Sequence, residues 1–402
     1  MTECLSEPRR VLLGVTGGIA AYKACELASR LSQDGCQVRV VMTRAATTFV
    51  GPLTFAAITG QPVFKEMFDP AAEAAISHID LARWAEAVVV APATANFIAK
   101  AAHGLADDLL STLILATTAP LLIAPAMNPQ MWRHPTVAEN LARLTGRGVA
   151  TVGPKPGRTA CGEEGLGRMA EAAEIAEALA DLLAPRDLAG VALVVSAGPT
   201  REHLDPVRFI SNPSSGRMGI ELARAARRRG ARVTLVLGPT HLEPPAGVET
   251  LKVVSAREMH QAVMTAAREA RVVIKAAAVS DWRPVECHPH KVKKGGRGET
   301  CELLPNPDIL AELGADKGGR VLVGFAAETH DVLEHAAQKM RRKNLDLMVA
   351  NDVSARDSGF GVSTNRVHLI DANGAVESLP LLSKAAVAMR ILDRVAALVG
   401  QA

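Results

Sequence analysis

The stretch RVLLGVTGGIAAYKACELASRLSQDGCQVRVVM, Arg10 to Met42, decides the fold. Residues 10–17 are an apolar run ending in glycine, the pattern of a buried strand. Gly18–Ser32 places Leu27 and Leu31 on one helical face, and Val38–Met42 is a second apolar run. Strand, glycine turn, helix and strand make a βαβ unit, which opens a parallel sheet. Gly17 and Gly18 let main-chain amides approach an anion at the helix N-terminus. The turn GVTGGIAAYK is not GxGxxG, so a plain tight turn and a phosphate cradle both remain open. Thr43 stands at the C-terminal end of the second strand, where open α/β sheets bind ligands.

Working outward, Ala87–Ala91 and Pro120–Ala126 read as further strands, the first ending in a turn over Pro92–Asn96. Ser111 and Thr112 fall in a polar turn or helix start. Gly51–Ala75 reads as loose, with one short helix. APRDLAG, Ala184–Gly190, marks a boundary that divides the chain into residues 1–189 and 190–402. The pattern then restarts. Val191–Ala197 is a strand, SNPSSGRMG (Ser211–Gly219) opens a helix running through Arg229, and Val233–Leu237 is the next strand. Val272–Ala276, Val321–Ala326 and Leu347–Ala350 continue the series. NPDIL, Asn306–Leu310, opens a helix. Lys339 and Lys343 lie four apart on a helix over His330–Lys343 and so share a face. Leu382–Val399 is an amphipathic tail helix. The expected fold is therefore α/β, with two Rossmann-like parallel-sheet domains in tandem whose turns differ.

Bulk composition agrees. The chain has 402 residues, 48% hydrophobic but only 3% aromatic, so its cores are built of Ala, Val, Leu and Ile. A net charge of +3 gives no bulk case for nucleic acid or a membrane surface. The apolar runs are too short to span a bilayer, and MTECLSEPRR carries no apolar signal core. The six cysteines form no CxxC pair and no metal-ligand spacing, which points to a reduced, cytoplasmic setting.

Several stretches carry possible chemistry. PKPGRTACGEEGLGRM, Pro154–Met169, is too rich in glycine for an ordinary helix or strand. It is either a surface loop with an incidental Cys161 or a lid that lowers a thiol or acid onto a substrate. His78 is either structural or catalytic. PAMNPQMW, Pro125–Trp132, is an unusual loop containing Asn128. Asp281 follows a strand end in AAVSDW. HPHKVKKGGRGET, His288–Thr300, is either a solvated basic loop or a cationic flap over a polyphosphate.

Taken together, these motifs resemble a known family over nearly the whole chain: the bacterial bifunctional flavoproteins of coenzyme A synthesis, which fuse phosphopantothenoylcysteine decarboxylase to phosphopantothenate–cysteine ligase. The N-terminal part is similar to the flavodoxin-like, flavin-containing cysteine decarboxylases through GVTGGIAAYK, the His78 segment, APAT, PAMNPQMW and ACGEEGLGRM. The C-terminal part resembles the ligase through SAGPTRE, ISNPSSGRMG, AAVSDW, KVKK, NPDI and the Phe325 strand. The resemblance implies FMN held by Gly17, Gly18, Thr43, Thr94, Ser111 and Thr112. It makes His78 the base of the flavin half, Asn128 the binder of the substrate carboxylate or amide, and Cys161 the proton donor. In the ligase half it implies that Asn212 orients the phosphopantothenate acyl group. Lys275, Ala276, Ala277, Asp281, Lys291, Asn306, Pro307, Asp308, Ile309, Phe325, Lys339 and Lys343 would surround CTP, with Mg2+ (or Mn2+) near Asp281.

The implied chemistry explains the parts. Direct loss of CO2 from an acylated cysteine would leave an unstabilised carbanion. FMN first converts the thiol to a thioaldehyde, whose C=S accepts the electrons as CO2 leaves. The resulting ene-thiolate then needs a hydride and a proton, the latter from Cys161, a thiol expected to stay protonated. The ligase activates the carboxylate of 4'-phosphopantothenate as an acyl-cytidylate, which cysteine then attacks, with Lys291 neutralising charge. The resemblance also implies homo-oligomers, a dodecamer built from trimers and ligase dimers, with FMN sites near subunit contacts. A flavin-dependent peptidyl-cysteine decarboxylase or a flavin prenyltransferase would need no ligase half. A non-catalytic flavin-binding regulator would not need His78, Asn128 and Cys161 together.

Overall fold

The computed structural model describes residues 9–67, 78–293, 300–328, 331–352, 359 and 361–401. The chain forms two compact units, Met1–Ala184 and Pro185–Ala402. This division lies slightly ahead of the one expected after residue 189. Leu188 is already part of the second core, and Asp187 already pairs with Arg229 of that unit.

The first unit runs β1 (Arg10–Val15), α1 (Ala21–Gln33), β2 (Gln37–Met42), α2 (Pro52–Thr59), β3 (Val63–Phe64), α3 (His78–Trp84), β4 (Ala87–Ala93), α4 (Ala95–His103), α5 (Leu109–Ala116), β5 (Leu121–Pro125), α6 (Pro129–Arg133), α7 (Pro135–Gly146), β6 (Ala150–Thr151), β7 (Lys155–Arg158), β8 (Glu164–Arg168) and α8 (Ala172–Leu183). Its main sheet has the order β3-β2-β1-β4-β5-β6, with every pairing parallel. Apart from the two-residue edge β3, this is the flavodoxin order, with its switch point between β1 and β4. Side chains alternate along β1: Val11, Leu13 and Val15 join the core under α1 and α8, and Leu12 joins the core under α4 and α5. Burial on both faces explains why these strands read as continuous apolar runs.

Pro154–Met169 corrects an expectation. The stretch does form strands: β7 and β8 make an antiparallel hairpin, with Gly157 facing Gly165. Both glycines sit at positive φ, 141° and 151°, which L side chains rarely adopt. Glycine serves strand geometry and close packing here, and Cys161 lies at the hairpin tip.

The second unit runs β9 (Ala192–Ala197), β10 (Arg201–His203), β11 (Phe209–Ser211), α9 (Arg217–Arg228), β12 (Arg232–Leu237), β13 (Glu249–Lys252), α10 (Ala256–Ala266), β14 (Val272–Lys275), β15 (Trp282–Pro284), β16 (Leu303–Pro305), α11 (Ile309–Ala315), β17 (Val321–Glu328), α12 (Val332–Arg342), β18 (Leu347–Asp352), β19 (Thr364–Asn365), β20 (Val367–Asp371), β21 (Val376–Ser378), β22 (Leu382–Ser383) and α13 (Lys384–Gln401). The eight-stranded sheet has the order β13-β12-β9-β14-β17-β18-β20-β21. It is parallel from β13 to β18, with β20 and β21 added antiparallel at one edge. One face is covered by α9 and the tail helix α13, the other by α10, α11 and α12. Arg229 is fully buried between Asp187 and Asp393 and so ties the start of this unit to α9 and α13.

Gly219, in the first turn of α9, lies so close to β9 that a Cβ there would sit 2.4 Å from that of Ala197. Gly219→Ala should push α9 off the sheet and destabilise the second unit by about 1–3 kcal/mol, the usual range for overpacking. Denaturant unfolding checks this; an unchanged midpoint would show that the helix can shift at no cost.

Candidate active sites

In the first unit, the C-terminal ends of β1, β2, β4 and β5 open into a cavity of about 1170 Å3. Gly17 and Gly18 border it after β1, Thr43 after β2, Thr94 after β4 and Asn128 after β5. A Cβ on Gly17 would lie 2.3 Å from that of Ala45, so only glycine lets this turn pass the loop after β2. The switch point is tied across its gap. The Thr16 hydroxyl donates to the Pro92 carbonyl at 2.7 Å, and the Thr94 amide donates to Thr16 Oγ1 at 3.1 Å. Thr94 in turn caps α4 by accepting from the Phe97 amide. Open backbone at glycine, two threonine hydroxyls and an apolar wall including Phe97 and Met169 suit a planar cofactor carrying a phosphate.

The hairpin brings Cys161 to this cavity. Its root is fixed by the Met127 amide donating to the Gly167 carbonyl at 3.0 Å, and a Cβ on Gly167 would lie 2.3 Å from the Met127 carbonyl oxygen. Asn128 caps α6 by accepting from the Gln130 amide at 2.7 Å, and its Nδ2 donates to Cys161 Sγ at 3.3 Å. Thr159 Oγ1 lies 3.1 Å from the same sulfur. These contacts, Thr159 first, then the main chain at Glu163 and Asn128, hold the thiol below its ordinary range. This downward direction runs against the expectation of a thiol whose pKa is not lowered.

Three expected residues do not border this cavity within the chain. His78 is half-buried at the start of α3. Ser111 is buried, and its hydroxyl is committed to Asp108 in the capping box of α5. Thr112 donates to the Asp108 carbonyl at 2.8 Å. Asp108 itself reaches the cavity, paired with Lys100 at 2.9 Å. Lys23 from the GVTGGIAAYK turn, Arg44 after β2, and Arg158 and Arg168 from the glycine-rich hairpin add a cationic lining.

In the second unit, the loop before α9 and the C-terminal ends of β14, β17 and β18 open into a cavity of about 600 Å3. It gathers Asn212, Lys275, Ala276, Ala277, Asp281, Asn306, Pro307, Asp308, Ile309, Phe325, Lys339 and Lys343. Asn212 Nδ2 donates to the Ala278 carbonyl at 3.1 Å, and Asn306 Nδ2 to the Ser280 carbonyl at 2.9 Å. Asp308 caps α11 and pairs with Lys343 at 2.7 Å. Lys339 donates to the Phe325 carbonyl at 3.3 Å. Lys275 is pushed down to about 8, first by burial and then by Lys339 and Lys343, against the pull of Asp308 and Asp281. Among the described residues, no group of three or more His, Cys, Asp or Glu is gathered to hold a metal.

Lys291 is exposed and does not border the cavity. Its segment is anchored to the hairpin of β10 and β11: the His288 amide donates to the Leu204 carbonyl at 2.9 Å, and the Val292 amide to the buried carboxylate of Asp205 at 3.2 Å. Arg208 bridges Asp205 and the Val292 carbonyl. Residues 294–299 of the expected flap lie outside the described residues.

Comparison with known proteins follows the same division. Residues 2–184 match the Flavoprotein family, and residues 188–399 match the DNA/pantothenate metabolism flavoprotein C-terminal domain family. Over 387 residues the chain is 50% identical to the coenzyme A biosynthesis bifunctional protein CoaBC of Vibrio cholerae, covering 96% of this chain and 97% of that one. Over 394 residues it is 48% identical to the protein of the same name in Bacillus subtilis, covering 97% of both. The Escherichia coli K12 protein is 47% identical over 392 residues, covering 96% of both.

The chain belongs to the family of coenzyme A biosynthesis bifunctional proteins. It is a two-activity enzyme, with a flavoprotein decarboxylase unit followed by a phosphopantothenate–cysteine ligase unit. In family terms the decarboxylase cavity is bordered by strand-end loops from one chain, while His78, Ser111 and Thr112 stand apart from it. The ligase cavity collects every expected residue except Lys291. Arg217, Asn351, Asn365 and Lys384 also line it. Arg217 lies within the quoted SNPSSGRMG loop, whereas Asn351, Asn365 and Lys384 come singly from distant segments without a local pattern.

Removing a hydrogen bond that favours the thiolate raises a thiol pKa. Thr159→Val should therefore shift the pH midpoint of Cys161 alkylation upward relative to the parent chain. Iodoacetamide labelling followed by peptide mass spectrometry reads the shift, and an unmoved midpoint would remove Thr159 as the main cause.

Proposed function

We propose that the first unit decarboxylates 4'-phosphopantothenoylcysteine with FMN, and that the second makes that substrate from 4'-phosphopantothenate, cysteine and CTP. The observation that carries the first assignment is the contact of Asn128 with Cys161 over the strand-end cavity. The turn of Gly17 and Gly18, with Thr43 and Thr94, would hold the phosphate and ring edge of FMN. Bound there, the flavin supplies reversible oxidation of the substrate's thiol-bearing carbon. Asn128 orients the substrate carboxylate or amide beside the thiol. Cys161 delivers the final proton to the ene-thiolate carbon. His78, outside the single-chain cavity, takes the substrate thiol proton from a neighbouring copy, in keeping with FMN sites near subunit contacts. Ser111 and Thr112 would then contribute through α5 and its Asp108 cap rather than through free hydroxyls.

In the second unit, Asn212 orients the phosphopantothenate carboxylate. Attack on the α-phosphorus of CTP forms the acyl–phosphate bond as the bond to the β-phosphate breaks, and pyrophosphate leaves with the electron pair. Cysteine nitrogen then attacks the acyl carbon, CMP leaves, and the amine proton passes to solvent. Lys275, Lys339 and Lys343 provide cationic charge around the nucleotide, while main-chain groups over Asn306–Ile309 and Phe325 face the base. Lys291 completes the charge when its segment closes. Asp281 would hold Mg2+, which takes most of its ligands from phosphate and water in such sites. The working assembly is a dodecamer of trimers and ligase dimers in a reduced cytoplasm. No helix among the described residues is long and apolar enough to cross a membrane.

One mixture of protein, phosphopantothenate, cysteine, CTP and Mg2+ tests both halves when CMP, pyrophosphate and CO2 are followed together. The purified protein should be yellow, and a chain that cannot be reconstituted with FMN would sink the decarboxylase assignment. Cys161→Ser should release CO2 yet stall before phosphopantetheine. Lys291→Gln should slow CMP formation by roughly 10²–10³, the scale of one lost transition-state donor. Normal output from either variant overturns its assigned role.

A further inference from the structure

The hairpin of β10 and β11 connects two residues of the ligase reading that stand far apart in the sequence. At one end, β11 finishes at Ser211 and leads directly into Asn212. At the other, the turn Leu204–Arg208 holds the segment that carries Lys291. The strands between are rooted in the body of the unit. The Arg201 amide donates to the Val254 carbonyl at 2.8 Å, the buried carboxylate of Glu202 accepts from the Ala256 amide at 2.9 Å, and the Ser211 hydroxyl donates to the Thr200 carbonyl at 2.7 Å. The Leu204 amide closes the turn on the Arg208 carbonyl at 2.9 Å. Inside the turn the Asp205 side chain is fully buried. One of its oxygens accepts from the Val207 and Arg208 amides, each at 2.8 Å. The other accepts from the Arg208 guanidinium and, at 3.2 Å, from the Val292 amide. A buried carboxylate needs donors on both oxygens, and the turn already supplies them. The bond to Val292 is additional and reaches 87 residues along the chain. Arg208 first, and then the three amides, hold the Asp205 carboxyl well below the usual carboxylate range against the upward push of burial, so the acceptor stays charged.

We propose that Asp205 is a positioning residue of the ligation reaction, fixing the main chain beside Lys291 at a set place relative to Asn212. The inference rests on the ligase reading above. The Lys291 segment is held on both sides. Three residues before it, the His288 amide donates to the Leu204 carbonyl, and just after it Val292 donates to Asp205 and accepts from Arg208 at 2.7 Å. A lysine ammonium rides on a flexible four-carbon stem. An exposed Lys291 therefore meets charge at a defined point only if its main chain is held. In the ligase reading Asn212 orients the carboxylate, and Asn212 continues from the other end of the same hairpin. One rooted hairpin thus gives both groups a common frame, and a displacement of about 1 Å in such a frame is enough to cost on the order of 10² in rate. Asp205 does not border the cavity and acts through Lys291.

The test uses the full-length chain, with hydrogen–deuterium exchange and steady-state ligation kinetics. Asp205→Asn keeps the shape of the side chain and removes its charge. The Val292 amide should then exchange about tenfold faster or more, the scale of one hydrogen bond to a charged group. The same variant should lose about tenfold or more in kcat for CMP formation while its KM for CTP stays within about twofold, the pattern of an interaction used in the transition state. Adding Asp205→Asn to Lys291→Gln should cost no more than about twofold beyond Lys291→Gln alone, because both changes remove one contribution. A general packing defect would instead multiply with the loss of Lys291. If Asp205→Asn does not fold, Val292→Pro deletes the amide from the other side and should show the same non-additivity with Lys291→Gln. Unchanged exchange at Val292 in Asp205→Asn overturns the anchor. An unchanged kcat, or losses that multiply in the double variant, overturns the positioning role. A parent chain whose Val292 amide is protected but which forms no CMP would leave the anchor standing and remove the ligase reading instead.

Discussion

Close approach of backbone to backbone at the ends of parallel strands is the constraint on which both sites depend. A parallel sheet sends successive connections to opposite faces and leaves a crevice where they part. That crevice becomes a binding site only where the loops can crowd together without side chains between them. Gly17 passes Ala45 in this way, and Gly167 passes Met127. In the second unit Gly219 lies on Ala197, and a Cβ on Gly238 would sit 2.0 Å from the Pro199 carbonyl oxygen. These glycines draw the loops over the strand ends and leave main-chain amides facing the cavities.

Charge is distributed differently in the two cavities. In the first, the lining cations Lys100 and Lys23 already have carboxylate partners, Asp108 and Glu171. In the second, Lys275 is shifted from its ordinary 10.5 to about 8, first by burial and then by Lys339 and Lys343. The unfolded chain binds this proton more tightly. Between pH 8 and 10.5 the group therefore adds stability as pH rises, and at neutral pH the folded unit carries the cost of holding it charged. On the proposed ligase reading a bound triphosphate would offset that cost. The unit sacrifices stability at its cavity, an arrangement common at functional sites.

Legibility followed locality. The βαβ unit at Arg10–Met42 was readable because period and punctuation lie within one window. The ligase residues were readable because AAVSDW, NPDI and the Phe325 strand are short motifs at strand ends, and the fold brings strand ends together. The β7–β8 hairpin was not, because glycine at positive φ in a strand looks like loop composition. Ser111 and Thr112 read as a polar turn or helix start, which does not show that Asp108 engages both hydroxyls. Lys384 had no signal at all. A single lysine opening a tail helix is ordinary until the fold sets it on the cavity wall with Arg217.

The thiol of Cys161 shows how a site can differ from its resting chemistry. Thr159, the main chain at Glu163 and Asn128 all favour the thiolate in the free chain, whereas a terminal acid must carry its proton. The two requirements agree once the substrate's charge is included. In the proposed decarboxylation, an ene-thiolate formed beside Asn128 would compete for the same amide and place negative charge near the sulfur. Losing a donor and gaining a like charge both raise a thiol pKa. On that reading the sulfur would be driven to hold a proton as the product that needs it appears. The hairpin root supports this coupling, because Gly167 locks β8 to the loop that carries Asn128.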